Sequence, residues 1–318
     1  MPASEPSSRP DADRVSALPR SGTGYLSGEV AARVKRLELT ARRVVEGSLS
    51  GMHRSPHFGQ SIEFVQHRNY AAGDEIRHID WKVLARQDRL HVKQYEEETN
   101  LRLHLMVDRS GSMAYGDGAS NKFDYAASIA ATLAYLALRQ KDACGLTTFD
   151  VGVTGSIPPA SSGHQLRRIL ATLDRTGADG RTDLTAVAAR VASDVPRRGV
   201  VVVISDLLGV DRLVDGLRRL RSRGHDVAVF HLLHDDEMDF PFTGATRFES
   251  IEGDETLQCD PASLREGYLE VLGEFLKRTR AECGSLAVDF QTVRTSEPLD
   301  AVVRRFLTRR SSMPRLKR

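Results

Sequence analysis

Residues 199–206 read Gly-Val-Val-Val-Val-Ile-Ser-Asp, and so continuous a run of β-branched residues belongs to a strand covered on both faces. Such a strand needs helices above and below it, which restricts the chain to a layered α/β architecture. The surrounding pattern agrees. From about Leu101 the sequence alternates between extended and helical segments. A buried strand at Leu101–Asp108 precedes a long helix from about Asn121, with Phe123, Ala126, Ala130, Leu133 and Ala137 on one face. A strand over ACGLTTF (143–149) follows, with a hairpin partner through Val153 and Ile157, then helices near Leu166–Leu173 and Leu184–Val195. Beyond Asp206 come a helix at Val210–Arg223 stopped by Gly224, the strand DVAVFHLL (226–233) and a polar excursion from Pro241 to Asp260. A helix at Ala262–Cys283, a strand in SLAVDFQTV and a short helix close the unit. The expected fold class is α/β: a doubly wound, mostly parallel, Rossmann-like sheet with an irregular N-terminal extension packed on it.

Four regions are expected. Residues 1–25 are rich in Ser, Pro and charge and read as a disordered tail. Residues 26–99 hold one amphipathic helix (Gly28–Gly47) and short strands, residues 100–310 form the α/β domain, and 311–318 are a basic tail. The charged stretch Arg77–Arg86 is read as structural, with buried Arg–Asp pairs and Trp81 packing this region onto the sheet. With 45 basic and 43 acidic residues the net charge is +2, which gives no call for nucleic acid as a partner. Three scattered cysteines fit a reducing compartment. No stretch reaches the roughly 20 apolar residues of a membrane span, and the polar first residues lack the core of a secretory signal. The expected setting is cytoplasmic.

In a doubly wound sheet, ligands sit beyond the carboxyl ends of the strands, where strand order reverses. Two of the strands end there in aspartate: Asp108, followed by Arg-Ser-Gly-Ser-Met, and Asp206. Asp108, Ser110 and Ser112 have the spacing Asp-x-Ser-x-Ser, with Gly111 expected to let the turn curl. Thr182 lies in the polar loop before the Leu184 helix. Three hydroxyls and two carboxylates form an all-oxygen donor set, suited to a hard divalent cation and unsuited to zinc. The bland alternative is a helix N-cap cluster, which leaves Thr182 and Asp206 unexplained. His231 and His234, three apart on a strand, do not converge on a second metal.

This set resembles the metal-ion-dependent adhesion site of von Willebrand factor A domains. That resemblance implies Mg2+ or Mn2+ on Ser110 and Ser112, with Thr182 direct or through water, Asp108 and Asp206 acting mainly through waters, and a partner's acidic side chain completing the shell. The stretch before it, with Glu63-Phe64, Arg68-x-Tyr70, Gly73-Asp74, Arg77-x-Ile79-Asp80-Trp81, Ala85-Arg86 and Tyr95-x-Glu97, resembles bacterial domain-of-unknown-function family 58. Glu237-x-Asp239-Phe240-Pro241-Phe242 and Arg265-x-x-Tyr268 are similar to that family too. The resemblance implies a MoxR-type AAA+ ATPase, or its client, as the protein partner, and a role in assembling or maturing protein complexes. No Gly-x-Ser-x-Gly elbow, phosphate loop or Gly-x-Gly-x-x-Gly follows the strands, so a binding module rather than an enzyme is expected. The alternative is a divalent-metal-dependent phosphoester hydrolase using Asp108.

Overall fold

The computed structural model describes residues 28–50, 63–69, 81, 83, 84, 90–96, 101–150, 152–175, 184–195, 198–208, 213–251 and 255–312. Six strands form the central sheet: β3 (Arg102–Asp108), β4 (Ala143–Phe149), β5 (Val153–Ala160), β6 (Val200–Ser205), β7 (Asp226–Leu233) and β10 (Asp289–Arg294). Their order is β10-β7-β6-β3-β4-β5, parallel throughout except for β5, which returns antiparallel to β4 as the hairpin pattern predicts. β1 (Glu63–Asn69) and β2 (His91–Glu96) pair antiparallel apart from it. The chain builds β3, β4 and β5 outward on one side, then returns to place β6 on the other side of β3. The switch point of the sheet is therefore the β3/β6 boundary.

Helices cover both faces, which explains why β3 is buried from Leu103 onward and β6 along its whole length. One layer contains α1 (Gly28–Ser50), α2 (Lys122–Arg139), α3 (Gln165–Arg175) and α8 (Leu299–Ser312), packed on Leu103, Leu105, Val202 and Phe230. The other contains α4 (Leu184–Asp194), α5 (Leu213–Ser222) and the end of α7 (Pro261–Ser285), packed on Met106, Val201, Val203 and Phe290. The alternation along each strand sends successive side chains to opposite layers. α2 starts where the Asn121 side chain accepts the Asp124 amide at 3.0 Å. It is buried on nearly every side, because Val34 and Ala41 of α1 close over Ala131 of α2 and Leu170 of α3.

Three local readings are corrected. The polar excursion contains a short antiparallel hairpin, β8 (Thr246–Glu249) with β9 (Thr256–Cys259). Its neighbour Phe240 ends the short helix α6 (Asp235–Asp239) and gathers Phe242, Phe248 and Tyr268 around its ring, the nearest at 4.6 Å. Trp81 does not anchor the N-terminal region: its side chain is 59% exposed, and a ring left mostly in solvent gains little from burial. Gly111 does not supply a left-handed turn either. The positive φ values after β3 fall at Gly116 (94°) and Gly118 (54°), and a Cβ at Gly116 would meet the Ser120 carbonyl oxygen at 2.8 Å.

Candidate metal centre

Pairing of β3 with β6 sets Val107 beside Ile204, so the strand ends Asp108 and Ser205, and Asp206 after it, come side by side at the sheet's edge. β6 is apolar on both faces up to Ile204, and β3 is buried from Leu103 with His104 as its one polar side chain before Asp108. Asp108, Ser110, Ser112 and Asp206 are all buried. The Asp108 carboxylate accepts the Ser110 amide at 2.9 Å on one oxygen and the Ser205 hydroxyl at 2.5 Å on the other. Ser110 opens a 3-10 turn (Gly111–Ala114), yet its side chain makes no capping bond. Its Oγ instead lies 3.0 Å from Ser112 Oγ. The N-cap explanation of this cluster therefore fails for Ser110. After Asp206 the chain turns sharply through Leu207, a buried non-glycine residue at φ 57° whose amide donates to Ser205 Oγ at 2.9 Å. Such strain persists where the surrounding structure over-determines it.

Lys122 is the main residue that sequence reasoning missed. As the first residue of α2 it reads as a solvated helix end, but its side chain is 1% exposed. Its Nζ donates to Asp206 Oδ2 at 2.7 Å and to Glu237 Oε1 at 2.8 Å. Burial works against the ammonium, and the carboxylates of Asp206 and Glu237 outweigh it, holding the lysine above its ordinary pKa. Glu237 is held in turn. Its other oxygen accepts the His234 amide at 2.6 Å, closing a capping box on α6, and its carbonyl accepts the Tyr268 hydroxyl at 2.9 Å. Tyr115, over whose ring Lys122 Nζ sits 5.9 Å from the centroid, donates to Asp236 at 2.9 Å. The motif residues Glu237 and Tyr268 thus brace the site from outside the sheet. His231 is separate from His234: it is buried on β7 and donates from Nε2 to the Asp206 carbonyl at 2.9 Å.

Electrostatics mark the same place. Burial, and then the charge of Asp206, pushes Asp108 from the usual carboxylate value up to about 6, against the pull of its bonds to Ser205 and Ser110. Three carboxylates face one ammonium, an excess of two negative charges when all are ionised. Among the described residues no group of three or more His, Cys, Asp or Glu side chains is placed to hold a metal, so any cation here depends on the hydroxyls. Those hydroxyls fit. Adjacent ligands of an octahedral Mg2+ with bonds of about 2.1 Å lie roughly 3.0 Å apart, and Ser110 Oγ and Ser112 Oγ have that separation. Thr182 lies outside the described residues.

Fold and site together define a mixed α/β protein, compatible with a Rossmann-like fold, that carries a buried hydroxyl–carboxylate cluster at the switch point of a mostly parallel sheet. The chain belongs to the family described as "Protein of unknown function DUF58", whose model matches residues 66–274. Over 275 residues it is 29% identical to the uncharacterized protein Rv1480 of Mycobacterium tuberculosis, covering 84% of this chain and 86% of that one. Two solved structures are similar at low identity. The conserved hypothetical protein BatB of Bacteroides thetaiotaomicron matches 67% of this chain and 100% of its own, at 14% identity and a TM-score of 0.43. An aerotolerance-related membrane protein of Bacteroides fragilis matches 66% of this chain and 97% of its own, at 16% identity and a TM-score of 0.42. The expectation of a cytoplasmic chain is withdrawn: that neighbour is described as a membrane protein. Among the described residues no helix is long and apolar enough to cross a membrane.

Proposed function

We propose that this chain is a metal-dependent protein–protein interaction module of the von Willebrand factor A-like kind, a binder rather than an enzyme. Ser110 and Ser112 would hold Mg2+ or Mn2+ by their hydroxyls, with Thr182 direct or through water and Asp108 and Asp206 acting mainly through waters. The carrying observation is the 3.0 Å approach of two buried serine hydroxyls beside carboxylates whose charge one lysine only partly offsets. A divalent cation there supplies a positive position open to an acidic side chain of a partner, and neutral hydroxyl ligands leave it most of its charge. Hydrolysis by Asp108 fits less well, because both its oxygens already accept hydrogen bonds. The family resemblance implies a MoxR-type AAA+ ATPase, or its client, as partner.

The test is interferometry of the full chain against a MoxR-type AAA+ ATPase, in Mg2+ and in EDTA. Binding at least tenfold tighter in Mg2+, and lost in Ser110→Ala/Ser112→Ala, is the expected result. Equal affinity in EDTA, or an unaffected double variant, rejects the reading.

A further inference from the structure

β10 is the last strand of the sheet, and one side of it has no partner strand among the described residues. Which of its backbone groups face that side follows from the register. The Thr295 amide donates to the Leu233 carbonyl across the β10/β7 pair at 3.0 Å, so the odd-numbered residues of β10 bond to β7. The even-numbered ones face away. Two of their groups are met by side chains: the Phe290 carbonyl by Arg309 at 3.5 Å and the Arg294 amide by Glu297 at 3.0 Å. Between them the amide and carbonyl of Thr292 point outward with no strand opposite. The Thr292 hydroxyl is also buried without a hydrogen-bond partner.

This edge runs along a groove of about 470 Å3 whose lining includes Arg280 and Gly284 of α7, Phe290 and Thr292 of β10, and Arg305 and Arg309 of α8. No carboxylate lines it among the described residues. Arg305 pairs with Glu297 at 2.8 Å and Arg309 with Asp289 at 3.3 Å, while Arg280 is exposed and has no ion pair among the described residues. Gly284 keeps the α7 wall low, with open space where a Cβ would stand.

We propose that β10 is a docking edge for an extended, acidic segment of a partner protein, added as a seventh strand of the central sheet. The Thr292 amide and carbonyl supply main-chain bonds, the basis of affinity in strand addition. Side chains of an added strand alternate between the two walls. Two consecutive acidic residues in the segment therefore meet Arg280 on one wall and Arg305 with Arg309 on the other. The edge lies two strands from β6 and does not depend on the cation site.

The test uses the full chain and two fluorescein-labelled peptides, VTVDEVTV and its lysine counterpart VTVKKVTV, followed by anisotropy in EDTA. Proline suits an edge position whose N–H faces outward, so Thr292→Pro keeps the sheet and removes the donor. The acidic peptide is expected to bind, the lysine peptide to fail, Thr292→Pro to abolish binding, and Arg280→Glu, a surface change on α7, to weaken it at least tenfold. Hydrogen exchange at Thr292 slows on binding. The proposal is overturned if neither peptide binds, if both bind alike, or if Arg280→Glu has no effect. Binding that a folded Thr292→Pro variant retains and that polyphosphate displaces marks a plain anion site and overturns it too.

Discussion

Lys122→Met is expected to cost the fold about 3–5 kcal/mol, the usual penalty for removing one partner of a buried ion pair. Methionine keeps most of the lysine's volume, so the loss is electrostatic. Without the ammonium, the Asp206 and Glu237 carboxylates that now receive its two bonds are left facing one another, with Asp108 close behind. The α6 capping box is loosened at the same time, since Glu237 serves both. Urea denaturation at pH 7 in EDTA measures this directly, and a change below about 1 kcal/mol would show that the lysine contributes no net stability. Millimolar Mg2+ is expected to recover part of the loss in this variant.

The second large effect has the opposite sign. Asp108→Asn is expected to remove the charge penalty of the metal-free protein at pH 7, less what its amide loses against the donors Ser110 N–H and Ser205 O–H, and to abolish stabilisation by Mg2+. A carboxyl whose folded pKa is raised contributes stability that is fully present below its unfolded pKa and is lost as pH rises through the folded value. For Asp108 that window runs from the ordinary carboxylate value of 3.8 to about 6. At about 1.4 kcal/mol per unit, the ionised form costs roughly 3 kcal/mol above it. The advantage of the Asp108→Asn variant over wild type should therefore grow between pH 4 and pH 6 and then level off. An advantage independent of pH would place its origin in packing or hydrogen bonding instead. A residue that destabilises the free protein is what a binding site retains at the expense of stability.

The sheet was legible because its signals are local. Four consecutive valines and an isoleucine define β6, the Leu101–Asp108 pattern defines β3, and the pairing of these two strands brings Asp108 and Asp206 together without further information. The Asp-x-Ser-x-Ser spacing likewise places Ser110 beside Ser112 within one turn. What stayed hidden depends on distant neighbours. Lys122 is solvated or buried according to where Glu237, 115 residues later, comes to rest. α2 reads as one-sided and is buried nearly all round, because a helix from the N-terminal region covers its outer face. The hairpin within the polar excursion carries few apolar residues and is held by Phe240, Phe242 and Phe248, whose ring contacts periodicity does not report. Trp81 shows the converse: a large aromatic side chain invites a packing role that its exposure denies.

The central claim is that this hydroxyl–carboxylate cluster binds a divalent cation, and titration calorimetry with Mg2+ and Mn2+ tests it most directly, on wild type and on Ser110→Ala/Ser112→Ala, with thermal unfolding alongside. The account predicts one site in wild type, a stabilisation of about 2.7 kcal/mol at 100 times the dissociation constant, and neither heat nor stabilisation in the double variant. Identical titrations of the two proteins, or no binding of either ion by wild type, would contradict it.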